Sequence, residues 1–462
     1  MIDLDNTLIV LRVFVLLAEA GLFGTFCVRA LAGRDVGGKL LAGLYLLLLV
    51  SLPAWLVVQS VSMGGSLDSV WLVLSVTMVG HLAILRALAW LASWVLWRWR
   101  GTYGAILPAG IALALHAGAG HAAAMGETYL LISVMAHVLA GAAWIGGLPA
   151  LWLALDDPRA SRLAARYAWF GLVCVLTVAT TATLQALALA GGLPGLFGTD
   201  YGHALLTKLA LLVLLVLLAA LHRFVLAPRL PGSLGVLRAS VSVEAALGLS
   251  VLVAASILSS LPPGAHSQPD WPFSWRLSFD LMDDEELRRE VVDAARALGG
   301  AGLLLLLAIL ARRVRWLAVL AAAVIAWFAI PHFDLLFLPA EPTYFWQSAT
   351  GFTKESIDAG RRAYVQNCMG CHGEGGQGDG LQAKQLSIPP ADLTAAHLWD
   401  HPDGELYWWI AHGMPDPKGK LVMPGFQPPL DDQAIWSLID FLHANNPNRP
   451  DGAQPTGMHM IH

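Results

Sequence analysis

The sequence predicts an all-α protein in which a polytopic helical membrane bundle of about ten transmembrane helices precedes a small all-α domain outside the membrane. Of the 462 residues, 56% are hydrophobic and only 13% are charged, roughly half the charged share of a soluble domain. The mean hydropathy is +0.61. From about Glu341 the apolar runs give way to Pro, Gly, Asp, Gln and His. A soluble enzyme and a disordered chain are thereby excluded.

The membrane spans are predicted from apolar runs, because a spanning helix needs about 20 mostly apolar residues. The predicted spans are 8–30, 40–61, 69–97, 103–117, 128–153, 167–190, 203–225, 239–261, 297–311 and 316–338. The fourth and ninth are short and need small residues from their flanks. The first contains Arg12 and Glu19 and lacks a small-residue cleavage site, so we interpret it as a span and not as a cleaved signal peptide.

The orientation of the spans is predicted from the positive charges in their connections. Every loop after an odd-numbered span is basic: Arg29, Arg34 and Lys39; Arg98 and Arg100; Arg159, Arg162 and Arg166; Arg223, Arg229 and Arg238; Arg312, Arg313 and Arg315. The loops after spans two, four and six contain no Lys or Arg, and the longer eighth loop has a few within a helix-like stretch, Asp283–Arg296. We therefore expect the basic loops to face the cytoplasm and both termini, with the C-terminal domain, to lie on the outer side of the membrane.

Four segments follow from these patterns. Residues 1–263 form an eight-helix membrane domain, 264–340 a periplasmic loop with a two-helix connector, 341–450 the periplasmic domain, and 451–462 a tail rich in Met and His. Interleaved thioethers and imidazoles in the tail, which ends Met458-His459-Met460-Ile461-His462, can capture copper. The alternative is a solvated tail without a ligand.

The C-terminal domain contains the motif Cys368-Met369-Gly370-Cys371-His372. Two cysteines at this spacing can form thioethers to both vinyl groups of one haem, and the adjacent histidine can bind the iron. A zinc site would need a second Cys/His pair at ligand spacing, and this domain has no other cysteine. The motif therefore predicts a covalently bound c-type haem.

A second iron ligand is expected downstream of the motif. The candidates are Met414, Met423, His412 and His443. Met423 precedes Pro424, which stiffens the loop, and it lies far enough along the chain to wrap around a haem. Met414 also precedes a proline and remains the rival. Apolar periodicity predicts helices at 355–367, 406–412 and 431–444, with Gly360 allowing the first and last to approach closely.

Residues 351–447 resemble a class I cytochrome c. The segments that carry the resemblance are CMGCHGEGGQGDG, IPPADLT, DGELYWWIAHG and MPGFQPPLDDQAIWSLIDFL. The resemblance implies a haem c attached to Cys368 and Cys371, with His372 and Met423 as iron ligands. It also implies haem attachment outside the cytoplasmic membrane, in agreement with the charge-derived orientation. His/Met ligation favours a relatively high potential and electron transfer.

Ionisable side chains within spans are costly, so each is a functional candidate. His116, His121, His137 and His203 fall near the predicted outer ends, and imidazole suits copper. The alternative for each is a histidine that bonds a backbone carbonyl and packs a helix pair. A third interpretation is a haem b held by His81 with His137 or another histidine.

Residues 8–263 resemble the CopD/PcoD copper-resistance membrane domain. The segments that carry the resemblance are Gly120-His121-Ala122, His137 through Trp144 to Leu148, Tyr201-Gly202-His203 through Lys208, and Leu237-Arg238 through Glu244 to Pro262-Pro263. The resemblance implies copper handling across or at the outer face of the inner membrane. It carries His121 and His137 as candidate copper ligands, whereas His203 stands where an arginine is more often expected.

The leading hypothesis is a copper transport or resistance protein whose tethered haem exchanges electrons with copper, with the direction of electron flow and any metal-ion oxidoreductase activity left open. The expected partners are copper ions, the lipid bilayer, and a periplasmic redox partner or copper chaperone. A net charge of −5 without a basic block excludes nucleic acid, and the absence of a Walker motif excludes ATP. The alternatives are a respiratory cytochrome with haem b or quinol in the membrane domain, and a cytochrome with a purely structural anchor.

Overall fold

The long apolar runs fold into helices of membrane-spanning length. The computed structural model describes residues 4–120, 123, 125–156, 160–229, 232–310 and 315–448. Within these ranges, nine helices are long and apolar enough to cross a membrane, and Thr102–His116 is a shorter apolar helix. The chain divides into two compact units, Met1–Ser267 and Gln268–His462. The predicted all-α polytopic architecture is confirmed.

The described helices of the first unit have the following bounds: α1 Leu4–Ala32, α2 Gly38–Gly64, α3 Ser69–Val76, α4 Met78–Arg100, α5 Thr102–His116, α6 Thr128–Ile145, α7 Leu148–Ala154, α8 Ala160–Leu189, α9 Gly192–Gly198, α10 Asp200–Leu221 and α11 Leu234–Leu258. Helix α10 continues into a π-helical turn, His222–Leu226. Short 3₁₀ turns lie at Ala117–Ala119, Ala227–Arg229 and Gly264–His266.

Helix α1 is the central helix of the first unit and packs against α2, α5, α6 and α11. A Cβ atom at Gly24 would lie 2.2 Å from the backbone carbon of Gly146 at the end of α6. Small residues at such crossings let two backbones approach and gain van der Waals contact in lipid, where no hydrophobic force drives helices together. Leu22 and Phe26, on either side of Gly24, are completely buried.

Two predicted spans differ from the structure at their boundaries. The third is interrupted at Thr77, whose backbone is extended and whose side chain caps α4 by accepting a hydrogen bond from Gly80 N at 3.1 Å. The ninth was predicted at 297–311 but begins at Glu285. Asp284 caps its N-terminus, and Glu285 pairs with Arg288 and Arg289 one turn later, so a charged stretch extends the apolar helix.

The described elements of the second unit are the helices α12 Glu285–Leu310, α13 Arg315–Ala329, α14 Lys354–Asn367, α15 Met369–His372, α16 Asp403–His412 and α17 Asp432–Asn445, and the strands β1 Trp275–Leu277, β2 Phe337–Pro339, β3 Gly413–Pro415 and β4 Leu421–Pro424. The strands form two antiparallel pairs, β1 with β2 and β3 with β4. Short 3₁₀ turns lie at Asp280–Asp283, Ile330–Leu336, Ala383–Gln385 and Ala396–Asp400.

The three helices predicted for the C-terminal domain are confirmed as α14, α16 and α17, although α16 begins earlier, at Asp403. A Cβ atom at Gly360 would lie only 1.8 Å from the carbonyl oxygen of Ser437, which confirms the predicted close approach of α14 and α17. Ile435, Leu438 and Ile439 of α17 are fully buried. Each such side chain contributes about 1.5–3 kcal/mol to folding.

Candidate haem and metal sites

The Cys-x-x-Cys-His motif lies on a single helical turn directly after α14. Cys368 N donates to Tyr364 O at 2.8 Å, and Cys371 N and His372 N both donate to Cys368 O, at 3.1 and 2.9 Å. This turn brings the two thiols and the imidazole together. Neither cysteine is in a disulfide. Burial, with a contribution from Cys371, raises the pKa of the Cys368 thiol to about 12.

His372 is oriented by a backbone carbonyl. Its Nδ1 lies 3.0 Å from the carbonyl oxygen of Ala391, within the Ile-Pro-Pro-Ala-Asp-Leu-Thr segment. A carbonyl can only accept, so Nδ1 carries the proton and Nε2 keeps the lone pair that binds a metal. Burial lowers the pKa of His372, which favours the neutral, ligating form.

The two methionine candidates lie directly opposite each other in the β3–β4 ladder, Met414 against Met423. Opposite residues of an antiparallel pair project to the same face, so the strand geometry alone does not choose between them. Met423 and Cys368 both pack against the buried cluster that contains Tyr364 and Tyr407. This shared packing favours Met423 as the predicted second ligand.

The histidine candidates for the second ligand are engaged with aromatic rings. The His412 ring stacks on Trp408, with the centroids 3.8 Å apart, and its Nδ1 lies 3.3 Å from the carbonyl oxygen of Trp408. The buried His443 ring stacks on Trp399 at 4.4 Å.

Two reduced cysteines, an oriented imidazole and a half-buried thioether together form a donor set that fits a c-type haem.

Within the membrane unit, two of the histidines predicted as copper ligands line the same cavity. His116 ends α5 and His137 lies on α6, and both border a largely apolar cavity of about 240 Å³. Arg12, Lys208 and Gln185 line it as well. The cavity lies toward the helix ends that the basic loops predict to face the periplasm.

His137 is held in one tautomer by a threonine. Its Nδ1 lies 3.0 Å from Thr181 Oγ1, and that hydroxyl donates its own proton to Thr177 O at 2.6 Å. The hydroxyl oxygen must therefore accept from Nδ1–H of His137. This leaves Nε2 with a lone pair, as metal coordination requires.

His116 borders a buried ionic network. Arg86 Nη2 donates to both carboxylate oxygens of Glu19 at 2.8 Å, and Trp90 Nε1 donates to one of them at 2.9 Å. Nδ1 of His116 lies 4.0 Å from Glu19 Oε2. No hydrogen-bond partner reaches that nitrogen within the described part of the chain. His116 therefore retains a ring nitrogen for a ligand.

The remaining histidine candidates are placed differently. His203 is exposed, and its Nε2 bonds the carbonyl oxygen of Phe197 at 2.8 Å. His81, considered for haem b, is also exposed and bonds the Ser75 carbonyl oxygen at 3.1 Å. These contacts give haem b no support. His121 and the tail residues 451–462 lie outside the described residues.

The cavity brings together charged side chains and a histidine that lie far apart in the sequence. Arg12 and Lys208 were recognisable as intramembrane cations, but their convergence on His137 depends on the packing of α1, α6 and α10. In the described ranges, no three His, Cys, Asp or Glu side chains form a group that could hold a metal ion. Among the described residues that line the cavity, His116 and His137 are the side chains suited to bind copper, and Gln185 is a neutral polar group beside them.

Comparison with known families gives three matches along the chain. Residues 1–130 match the model "Copper resistance protein D-like, N-terminal domain", and 161–258 match "Copper resistance protein D". Residues 355–442 match "Cytochrome C oxidase, cbb3-type, subunit III". No solved structure matches the chain.

Curated relatives match parts of the chain. The copper transport protein CutJ of Bacillus subtilis is 31% identical over 33% of this chain and 29% of its own length. The inner membrane protein YebZ of Escherichia coli is 34% identical over 28% of this chain and 47% of its own length. The cbb3-type cytochrome c oxidase subunit CcoP of Azospirillum brasilense is 33% identical over 20% and 30%, respectively.

The chain thus spans less than half the length of each of these relatives. Their names agree with the two resemblances found in the sequence, copper resistance for the membrane helices and cytochrome c for the C-terminal domain. The chain is a multi-span membrane protein that is similar to copper resistance protein D over residues 1–130 and 161–258, and to the cbb3-type cytochrome c oxidase subunit III over residues 355–442.

Proposed function

We propose that this protein binds copper in its membrane cavity through His116 and His137, and that copper exchanges electrons with a haem c in its C-terminal domain. The observation that carries the proposal is the convergence of these two histidines, from different helices, on one cavity. The copper resistance and copper transport names of the relatives support the choice of metal.

The chemistry of the cavity suits Cu(I). Imidazole nitrogens bind both copper oxidation states, and Cu(I) is stable with few ligands in apolar surroundings. The His137 tautomer fixed by Thr181 and the free Nδ1 of His116 provide two such nitrogens. The cations Arg12 and Lys208 line the same cavity and repel a divalent ion more strongly than a monovalent one, so they favour Cu(I) over Cu(II).

In the C-terminal domain, Cys368 and Cys371 would attach the haem, and His372 and Met423 would bind its iron. A haem held in this way supplies a one-electron couple at the potential that His/Met ligation favours. The Ala391 carbonyl orients His372, and the β3–β4 ladder positions Met423. Because the loops after odd-numbered spans are basic, we propose that this domain and the cavity mouth face the periplasm of the bacterial inner membrane. A periplasmic copper chaperone or redox carrier would then be the partner.

The metal and haem content of the purified full-length protein tests this function. We expect a haem c spectrum and bound copper in the wild type, and loss of copper with an unchanged haem spectrum in His137→Ala. The matched control is His81→Ala, which removes an exposed histidine that does not line the cavity. Equal copper content in the wild type and His137→Ala would exclude this site.

A respiratory role is the second candidate, and the presence of Arg12 and Lys208 in the cavity favours it, because both can donate to the oxygens of a quinol headgroup. One equivalent of haem b, or quinol-dependent reduction of haem c in protein that retains no copper, would support that role. If the protein contains haem c but neither binds copper nor reduces haem c with quinol, the membrane unit would serve only as a structural anchor.

A further inference from the structure

A second cavity of about 360 Å³ lies in the membrane unit, and no part of the proposed copper site uses it. It is lined by His222, Arg223 and Glu244, together with apolar side chains. These residues lie toward the ends of α10 and α11 that adjoin the basic loop, so this cavity lies in the half of the unit predicted to face the cytoplasm. The cavity of His116 and His137 is called the outer cavity below, and this one the inner cavity.

The two cavities follow one another along the same helices. On α10, Lys208 and Leu212 line the outer cavity, and Val216 and Ala219 line the inner cavity. Helices α8 and α11 also line both cavities. Their residues near the predicted outer ends line the outer cavity, and their residues near the predicted inner ends line the inner cavity. The cavities are therefore stacked along one bundle of α6, α8, α10 and α11.

Trp144 of α6 lines both cavities and is 2% exposed. It packs with the buried residues Leu215 and Val241 in one apolar cluster. Tyr167 OH donates to the Trp144 carbonyl oxygen at 2.5 Å, which fixes the backbone. A Cβ atom at Gly171, which lines the inner cavity, would lie 3.8 Å from the indole. The indole thus forms part of the wall that separates the two cavities.

The inner cavity is lined by a carboxylate that pairs with an imidazole, whereas no carboxylate is among the described residues that line the outer cavity. His222 Nδ1 lies 3.0 Å from Glu244 Oε2, and His222 Nε2 lies 2.7 Å from Ser240 Oγ. Glu244 is 2% exposed. The carboxylate of Glu244 therefore pairs with His222, which lies on the π-helical turn after α10. The neighbouring Arg223 is turned onto the Trp169 ring, 3.9 Å from its centroid.

We propose that the two cavities are the outer and inner halves of one cation route through this bundle, that Trp144 is the barrier between them, and that His222 and Glu244 form the inner binding site. The identity of the cation as Cu(I) rests on the proposed function; the route does not. Arg12 and Lys208 border the outer half without a carboxylate among its described lining residues, whereas Glu244 offsets Arg223 at the inner half, so the local charge opposes a monovalent cation less on the inner side. No redox step is needed for the transfer.

Thiol accessibility tests the route without any metal. Ala182, in the outer cavity, and Ala219, in the inner cavity, are each replaced by Cys in the full chain with Cys27→Ser and Cys174→Ser. A membrane-impermeant thiol reagent is then applied to right-side-out and inside-out vesicles. We expect Ala182→Cys to react from the periplasmic face only and Ala219→Cys from the cytoplasmic face only. Addition of Trp144→Ala should make each react from both faces.

The control Trp144→Phe retains an aromatic ring and should preserve the one-sided pattern. If Trp144→Ala does not give a monodisperse protein, Trp144→Leu replaces it. Reaction of both cysteines from the same face, or an unchanged pattern when the indole is removed from folded protein, would overturn the route.

Cation flux tests the inner site. In proteoliposomes given Ag⁺ as a redox-inert monovalent probe, Glu244→Gln should reduce uptake at least fivefold while copper retention at His137 is unchanged. Unchanged uptake in Glu244→Gln would overturn the inner site. The two proposals can fail separately. If the wild type binds copper but Trp144→Ala does not change the accessibility of the cysteines, the route is rejected and the proposed function is kept. If the wild type binds no copper but Trp144→Ala gives labelling from both faces, the copper site is rejected and the route is kept.

Discussion

At the scale of single residues, the second iron ligand is the sharpest choice in the C-terminal domain. Met414 and Met423 share one face of the β3–β4 ladder, and they differ in that Met423, like Cys368, packs against the buried cluster of Tyr364 and Tyr407. The proline after each methionine was visible in the sequence, whereas the cross-strand pairing was not. Sequence spacing could therefore propose both residues but could not rank them by contact.

Substitution of these two methionines tests the ligand. Met423→Leu should abolish the near-infrared sulfur-to-iron band and lower the reduction potential, because the thioether is lost while the apolar volume is kept. Met414→Leu is the matched control and should keep both properties. Optical spectra and redox titration of the two variants give the answer, and the reverse result would make Met414 the ligand.

Asp440 is a buried carboxyl group that makes the stability of this domain depend on pH. It accepts hydrogen bonds from Ser356 at 2.5 Å and Thr350 at 2.6 Å. Burial raises its pKa, and the charge of Asp403 adds to this, although the two hydroxyl bonds and His443 oppose the shift. The native state thus binds the proton more tightly than the unfolded chain, in which the pKa is about 3.9.

The tighter proton binding of Asp440 in the native state therefore stabilises the fold fully below about pH 4. This stabilisation is lost as the pH rises through the raised pKa of Asp440. Asp440→Asn keeps an acceptor for the hydroxyls but cannot ionise, so we expect it to flatten this decline and to be at least as stable as the wild type at pH 7. Thermal unfolding followed by the haem absorbance between pH 4 and 8 measures the effect. A steeper decline in Asp440→Asn would contradict it.

At the scale of helices, the crossing of α1 and α6 depends on the absence of a side chain at Gly24. Gly24→Ala should destabilise the membrane unit by about 1–3 kcal/mol, because the new methyl group would overlap the backbone of Gly146. Gly43→Ala is the control, since a Cβ at that position would have no atom within 4 Å apart from the adjacent backbone of its own helix. Thermal midpoints in detergent should fall for the first substitution only. Equal midpoints would show that the two helices can separate without cost.

The helices themselves were largely predictable, because an apolar run of spanning length has few alternatives in a bilayer. The residues at which these helices begin and end were less predictable. The start of α12 at Glu285 depends on the Asp284 cap and on ion pairs along a charged segment. The sequence indicated a helix-like stretch there, but low hydropathy separated it from the predicted span. The interruption at Thr77 is invisible to hydropathy, since threonine is tolerated in a span and acts here as a cap.

At the scale of the whole molecule, the sequence contained the residues of both candidate sites but not their grouping. The haem motif is local, so its turn could be predicted from spacing alone. The outer cavity brings together residues of α1, α5, α6, α8, α10 and α11, and no periodicity predicts which faces of six helices meet. The sequence offered His203 as a candidate copper ligand near an outer helix end, whereas in the structure its Nε2 lies 2.8 Å from the Phe197 carbonyl oxygen.

Electron exchange between bound copper and the haem tests the central proposal most directly. The reduced protein is mixed rapidly with one equivalent of Cu(II), and the oxidised protein with Cu(I), while the haem absorbance is followed. We expect exchange in at least one direction, slowed about tenfold or more in His137→Ala, since loss of a ligand worth about 1.4 kcal/mol at the barrier has that effect. Equal rates in the wild type and His137→Ala, or no exchange in either direction, would contradict the proposal.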